Sequence, residues 1–465
     1  MKVSDLFPSR RDLLGLGGLG LAAASLDHFR PLSVHAASSG FKARPRGNAR
    51  NVIFYEISGA ISHLETFDFK ESAGTPKDID IRKLSTGIYY PHALFPRLEK
   101  VMDRVAIVRS FVSNEEVHFR GQYYIQTGRP MNVAFAREIP ALGSVIASEL
   151  EPRRRETDTF PSYVSFSLET NQVGALATGF LPPHYSVFDL NPEQALKGMA
   201  LDQKAVALLE ERWRVLAGLR DLERERMKSF GRDISAFEDF STTAKRLLTD
   251  QRWPTAFQIT DDDRKRYGNS GPGLSCALAR NLLKQDAGTH YIHVCQHGWD
   301  HHRKIWDHAS ADNHYKLIAD ADPALASLIE DLAVTQSPAT PGKTLLDETL
   351  VVFMSEFGRT PGPLNHIAGR DHHKYVFPAM FAGAGVKGGT VLGASDKDGN
   401  RCAETGWNKK EQPRIENVVA TIYSALGIDW SKELGNTPSG RAYAYVDPLG
   451  AGGVIPIDDL TGIYG

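Results

Sequence analysis

Ten of the 16 histidines in this chain fall between His290 and His373, with carboxylates interleaved among them. The densest phrases are Gly298-Trp299-Asp300-His301-His302, Ser355-Glu356-Phe357-Gly358-Arg359 and Gly369-Arg370-Asp371-His372-His373. Neutral imidazole and carboxylate are the donors a divalent transition metal takes. Asp300 and His302 bracket one residue, so a turn can aim both at one point. Glu356 ends an apolar run, and His372 follows Asp371 in a loop ahead of another apolar run. Asp300, His302, Glu356 and His372 are therefore the candidate ligands of one divalent cation, or part of a two-metal site. The other histidines read differently. His293, alone inside an apolar strand, reads as a hydrogen-bonded core residue, and His308 and His314 are expected on an exposed helix.

Such ligands need elements that carry them to a common edge. Apolar runs at residues 51–57, 103–110, 161–166, 290–295, 349–354 and 375–382 read as strands. Residues 116–126 read as a helix that stops at Thr127-Gly128-Arg129-Pro130, and 276–285, 317–332 and 415–426 as further helices. Apolar strands alternating with helices predict an α/β fold, a mostly parallel sheet covered on both faces. Its ligand site belongs beyond the carboxyl ends of the strands, where Asp300 and Glu356 both emerge. Residues 192–250, rich in Glu, Arg, Leu and Ala at helical spacing, read as an inserted helical hairpin with a solvated charged face.

The 465 residues are enough for a large core, and a net charge of −2 provides no basic field for nucleic acid. Three cysteines lack metal-motif spacing and allow one disulfide at most. Residues 1–37 read as a leader: Ser9-Arg10-Arg11-Asp12-Leu13-Leu14 resembles the twin-arginine signal, an apolar Gly/Ala-rich run follows, and Val34-His35-Ala36 offers a cleavage site. That run is too short to span a membrane as a helix, and no later stretch is long enough either. A linker at 38–50, a domain at 51–450 and a tail at 451–465 complete the expected organisation, with export to the periplasm or beyond.

Longer phrases carry a resemblance. The run from Leu345 through Ser355-Glu356-Phe357-Gly358, followed by 376–383 and 418–428, is similar to the sulfatase and alkaline-phosphatase superfamily. Gly59-Ala60-Ile61-Ser62-His63-Leu64-Glu65-Thr66-Phe67-Asp68, together with the 298–302, 356–361 and 369–373 phrases, more closely resembles the domain-of-unknown-function 1501 family, a branch of that superfamily. The resemblance implies an alkaline-phosphatase-like three-layer α/β/α fold with a helical insertion. It supplies no established reaction; taken with the rim carboxylates and imidazoles and the leader, it leads to the expectation of a divalent ion (Zn, Mn or Ca) and hydrolysis of phosphate or sulfate esters, whether small anionic esters or a sulfated or phosphorylated polymer.

Departures from the superfamily pattern go with it. Sulfatases open with two aspartates where this chain has Ser58-Gly59, and Glu65, with His63 and Asp68, could substitute as a ligand. Counting back from Thr127-Gly128-Arg129 places His118 where the superfamily keeps its nucleophile; a covalent adduct, general acid/base work or metal binding are its open roles. Ser110 and Ser113 are the nearby hydroxyls. The Asp-His pair of the second metal strand is here Glu356-Phe357. Arg109, Arg129, Arg359 and Arg370 flank these segments, and Arg359, just past Glu356, is the expected oxyanion clamp. The alternative is a non-catalytic exported protein that keeps the fold and binds an anionic ligand or a protein partner.

Overall fold

The computed structural model describes residues 34–36, 43–168, 178–198, 203–227, 242–435, 437–447 and 454–460. The twin-arginine phrase, and most of the segment read as a leader, lie outside the described residues. The exception is Val34–Ala36, a short strand paired antiparallel with Lys432–Leu434.

Ten strands bear on the site: β1 Asn51–Ile57, β2 Val105–Phe111, β3 Tyr163–Phe166, β4 Phe188–Leu190, β5 Tyr291–Gln296, β6 Thr349–Ser355, β7 Gly358–Arg359, β8 His372–His373, β9 Phe377–Ala382 and β10 Val391–Leu392. Eight form one sheet in the order β10-β2-β9-β6-β1-β5-β3-β4. Only β9 runs against its neighbours β2 and β6; the other recorded pairings are parallel, so the sheet is mostly parallel as expected. The remaining two, β7 and β8, form a small antiparallel ribbon beyond the sheet.

Side chains on successive strand residues point to opposite faces, and here each face has its own core. Ile53, Tyr55, Val351, Phe353, Ile292 and Val294 belong to one cluster; Val52, Phe54, Leu350, Val352, Met354 and Tyr291 belong to the other. The helices divide accordingly. Seven of them, in chain order, are α1 His118–Thr127, α2 Leu142–Leu150, α3 Pro192–Gly198, α4 Gln203–Met227, α5 Gly271–Lys284, α6 His314–Val334 and α7 Ile415–Ala425. The first core takes α5 and α6, and the second takes α1, α2 and α7. The chain is thus a three-layer α/β/α fold, because runs apolar on both strand faces must be covered twice. The described part of the segment read as an insertion holds α3, α4 and a further helical stretch at 242–249.

Two helical expectations change. His308 is exposed but lies in a turn ahead of α6, not on a helix, and His314 is fully buried at the start of α6, packed against the rings of Trp299, Trp306 and His301. Its Nδ1 meets that of His301 at 3.0 Å, and burial, reinforced by His301 and Arg359, holds it well below the usual histidine range. His293 is a core residue bonded to Glu56 Oε2 at 2.8 Å.

Candidate metal centre

The carboxyl ends of the two strands flanking β1 deliver the site. β5 runs out into the 298–302 turn, and β6 runs into Glu356, which is fully buried. Between them β1 ends at Ser58-Gly59, where the chain must pass close under the turn. Gly59 has φ +115°, and a Cβ there would lie 2.5 Å from Asp300 N, so only glycine fits. From the other side α1 begins at His118, and its last turn closes on Gly128 in the left-handed conformation, the stop expected from Thr127-Gly128. The β7–β8 ribbon brings Asp371 and His372 across.

These elements converge four donor atoms: His118 Nε2, Asp300 Oδ1, His302 Nε2 and His372 Nε2 all lie within 4.8 Å of one another. Asp300 Oδ1 is 2.9 Å from His118 Nε2, 3.0 Å from His302 Nε2 and 3.4 Å from His372 Nε2, and the last two nitrogens are 2.9 Å apart. Each imidazole turns its other nitrogen to an acceptor. His118 Nδ1 donates to Glu356 Oε1 at 2.7 Å, His302 Nδ1 to Asp371 Oδ1 at 2.7 Å and His372 Nδ1 to the Glu116 carbonyl at 2.6 Å. Because carboxylate and carbonyl can only accept here, the Nδ1 atoms carry the protons. In the neutral rings the three Nε2 atoms then present lone pairs to one another and to Asp300. His118 Nε2 is buried and, despite its 2.9 Å approach to Asp300, is off line for a hydrogen bond.

That arrangement is repulsive unless a cation or protons occupy the middle. Donors bound at about 2.0–2.1 Å to one tetrahedral ion lie roughly 3.3 Å apart, close to the spacing here. Imidazoles oriented by outer carboxylates and carbonyls are the usual second layer of a metal centre. Without a metal the demand falls on a proton: burial pulls His118 down, but Asp300 and Glu356 outweigh it and push it up to about 9. Burial also opposes the charge on Asp300, yet His118, His372 and Arg359 hold it well below the usual carboxylate range. The centre opens to solvent at Asp300 and His302, whose side chains are 45% and 39% exposed.

Three expected site residues are placed differently. Glu356 stands one step back from the cluster, its Oε1 shared between His118 Nδ1 and Gly59 N. Glu65 lies outside it: its fully buried carboxylate pairs with Arg370 and accepts from Ser62. Arg359 is fully buried and cannot reach an incoming anion. Its guanidinium donates to Asp300 Oδ1 at 2.7 Å and to the carbonyls of Gly59, Ala60, Trp299 and Arg370. It therefore ties the β1 end, the ligand turn and the β8 approach together. Arg109 and Arg129 are likewise engaged, with Asp68 and Asp447. Ser110 donates to the Thr405 carbonyl, and Ser113 accepts from Glu115 N.

A family model described as a protein of unknown function, DUF1501, matches residues 49–455. The chain belongs to that family. No curated protein matches it significantly. Solved structures to which it is similar include a protein in the alkaline phosphatase superfamily from Vibrio parahaemolyticus (10% identity, 86% of this chain and 72% of that one, TM-score 0.38). A lipoteichoic acid synthase from Listeria monocytogenes (10%, 90% and 78%, 0.41) and a phosphonate monoester hydrolase from Silicibacter pomeroyi (11%, 90% and 77%, 0.40) are others.

Asp371 and Glu116 were not singled out from this family member's sequence as partners of the ligands. The Asp-His adjacency in Gly369-Arg370-Asp371-His372 was the signal for Asp371, although it serves His302 and not its neighbour. Glu116 contributes a backbone carbonyl, for which side-chain identity holds no signal.

Proposed function

We propose that the protein is an exported hydrolase of phosphate or sulfate esters built on a single divalent ion held by His118, Asp300, His302 and His372. The convergence of three Nε2 lone pairs on Asp300 Oδ1, at the solvent-open edge of the sheet, carries this reading. A bound ion there would supply Lewis acidity toward an ester oxygen and lower the pKa of a water. The donor set, three imidazoles and one carboxylate, suits Zn or Mn and disfavours Ca, which takes oxygen ligands.

The protein's own groups orient the site. Glu356 and Asp371 fix the ring tautomers, Arg359 fixes Asp300, and Phe357 closes the back. The Phe357 ring is fully buried, with its centroid 5.0 Å from that of His118 and 4.8 Å from that of His372, so it favours one ion over two. With His118 turned toward the centre and the Ser110 and Ser113 hydroxyls hydrogen-bonded to backbone groups, water is left as the nucleophile. Its oxygen bonds to phosphorus or sulfur as the ester bond breaks, one proton leaves with the alcohol and the other stays with the acid product.

The test is a screen of aryl phosphates, phosphodiesters and aryl sulfates with Zn- or Mn-loaded, tag-free protein. At least one class should turn over, and activity should vanish on chelation and return with the metal. Metal uptake without turnover of any ester would favour the non-catalytic binding protein instead. That second reading draws on the internal engagement of Arg109, Arg129, Arg359 and Arg370. Export by the twin-arginine route rests on the succession of arginine pair, apolar run and small-residue site within residues 1–37. Changing Arg10 and Arg11 to Lys should leave the chain in the cytoplasmic fraction; unaltered export of that variant would remove the assignment.

A further inference from the structure

We propose that the mouth of the metal centre selects an anionic ester whose organic part is apolar, with Val117, Phe119 and Ile367 as the selecting surface. The inference rests on the reading of the cluster as the substrate site. Val117 and Phe119 flank His118 on either side and remain 46% and 42% exposed. Ile367 is also exposed, and its carbonyl accepts from Lys304 N, two residues past His302. Asn365, two residues earlier, donates to the His302 carbonyl, so this loop borders the same ligand.

Single exposed hydrophobics are ordinary on a protein surface; gathered around a polar site they are informative. Outside α4, the large hydrophobic side chains exposed among the described residues are Tyr89, Val117, Phe119, Val133, Val334, Ile367 and Tyr375. Four of these seven lie within five positions of His118 or His372.

The charges around the mouth point the same way. Lys374 pairs with Glu116, Arg120 with Glu115, Arg359 with Asp300 and Arg370 with Glu65. Recognition of the anionic head thus falls to the metal centre and to Arg303, exposed directly after His302, while Val117, Phe119 and Ile367 add apolar surface. A substrate with a bare, fully hydrated alcohol portion gains nothing from such a surface. One with an alkyl or aryl group removes both its own and the protein's apolar area from water.

Hexylphosphonate and methylphosphonate share a head group that cannot be hydrolysed, and their binding can be compared by titration calorimetry. A fully buried methylene is worth about fourfold in affinity, so five partly buried ones should favour hexylphosphonate by at least about 10-fold. In the V117S/F119S double variant that preference should shrink to within about 2-fold. Serine is a favoured residue at the helix N-cap that Val117 occupies, and Phe119 is exposed, so the variant should fold. Equal binding of the two phosphonates by the unsubstituted protein, or an undiminished preference in the variant, would overturn the proposal. Titration before and after metal loading separates the two readings. If the hexyl preference persists but metal strengthens neither ligand, the metal reading fails and the apolar mouth stands. If metal strengthens both ligands equally and no preference exists, the mouth fails and the centre stands.

Discussion

The D300A and H302A variants are expected to bind Zn more than about 100-fold more weakly than the unsubstituted chain, while H308A binds it equally well. The contrast follows from position. Asp300 Oδ1 is the atom on which all three Nε2 atoms close, and His302 contributes one of them. His308 is well exposed, pairs with Asp78 at 2.8 Å and stacks on Tyr315, away from the cluster. Removing Asp300 also leaves the fully buried Arg359 guanidinium without its closest counter-ion, so D300A carries a folding cost as well. H302A has no such burden, because its outer partner Asp371 is exposed and re-solvates. H302A therefore tests the centre even if D300A folds poorly. The measurement is metal content after loading and dialysis, with chelator competition for affinity, on protein without a histidine tag. Equal retention by H302A and H308A would sink the assignment.

How much of this could be read from residues alone depends on how local the signal is. The strands were legible because a two-faced sheet requires apolar runs such as residues 349–354, with no polar alternation to confuse them. The rim position of Asp300 and Glu356 follows from that. What each rim carboxylate does was not legible. One reaches the cluster and the other stops one hydrogen bond short of it, behind His118, because α1 packs its first turn over the β6 end. Arg359 illustrates the same limit. In sequence it is a charged residue just past a rim carboxylate, which suggests an anion clamp. In the fold its neighbours are backbone carbonyls of three converging segments, which only a five-donor fork satisfies. His314 looked exposed because it begins a long helix, but Trp299 and Trp306, distant from its helix face in sequence, cover it.

The Glu356-Phe357 departure gains a meaning from the geometry. The Phe357 ring centroid lies 5.0 and 4.8 Å from those of two of the three ligand rings, His118 and His372, and Glu356 orients the first of these. Replacing a ligand-type side chain by phenyl there converts space for a second ion into packing for the first. In the proposed centre His118, which occupies the nucleophile's place in the resemblance, serves as a donor. On that reading, the absence of a side-chain nucleophile and the presence of a metal centre belong to one arrangement. The proposed chemistry is then what water and a single ion can do.

That arrangement depends on one small residue, and G121A is expected to weaken Zn binding by about 10–100-fold while also lowering stability by up to about 2 kcal/mol. The sign is not the usual one. Gly121 lies within α1, where alanine ordinarily favours the helix by about 1 kcal/mol. Here, however, a Cβ at position 121 would lie 2.8 Å from Glu356 Cγ and 2.9 Å from Glu356 Cβ, with Phe357 at 3.2 Å. Glu356 is fully buried and held by Gly59 N, so it has no free direction in which to yield. Overpacking of about 1–3 kcal/mol therefore exceeds the helix gain. The displaced carboxylate would also release His118 Nδ1, and an imidazole without its outer partner is free to rotate its Nε2 out of the centre. Urea unfolding and chelator competition on the same preparation separate the two effects. If G121A is more stable than the unsubstituted chain and binds Zn equally well, Glu356 has no part in orienting His118.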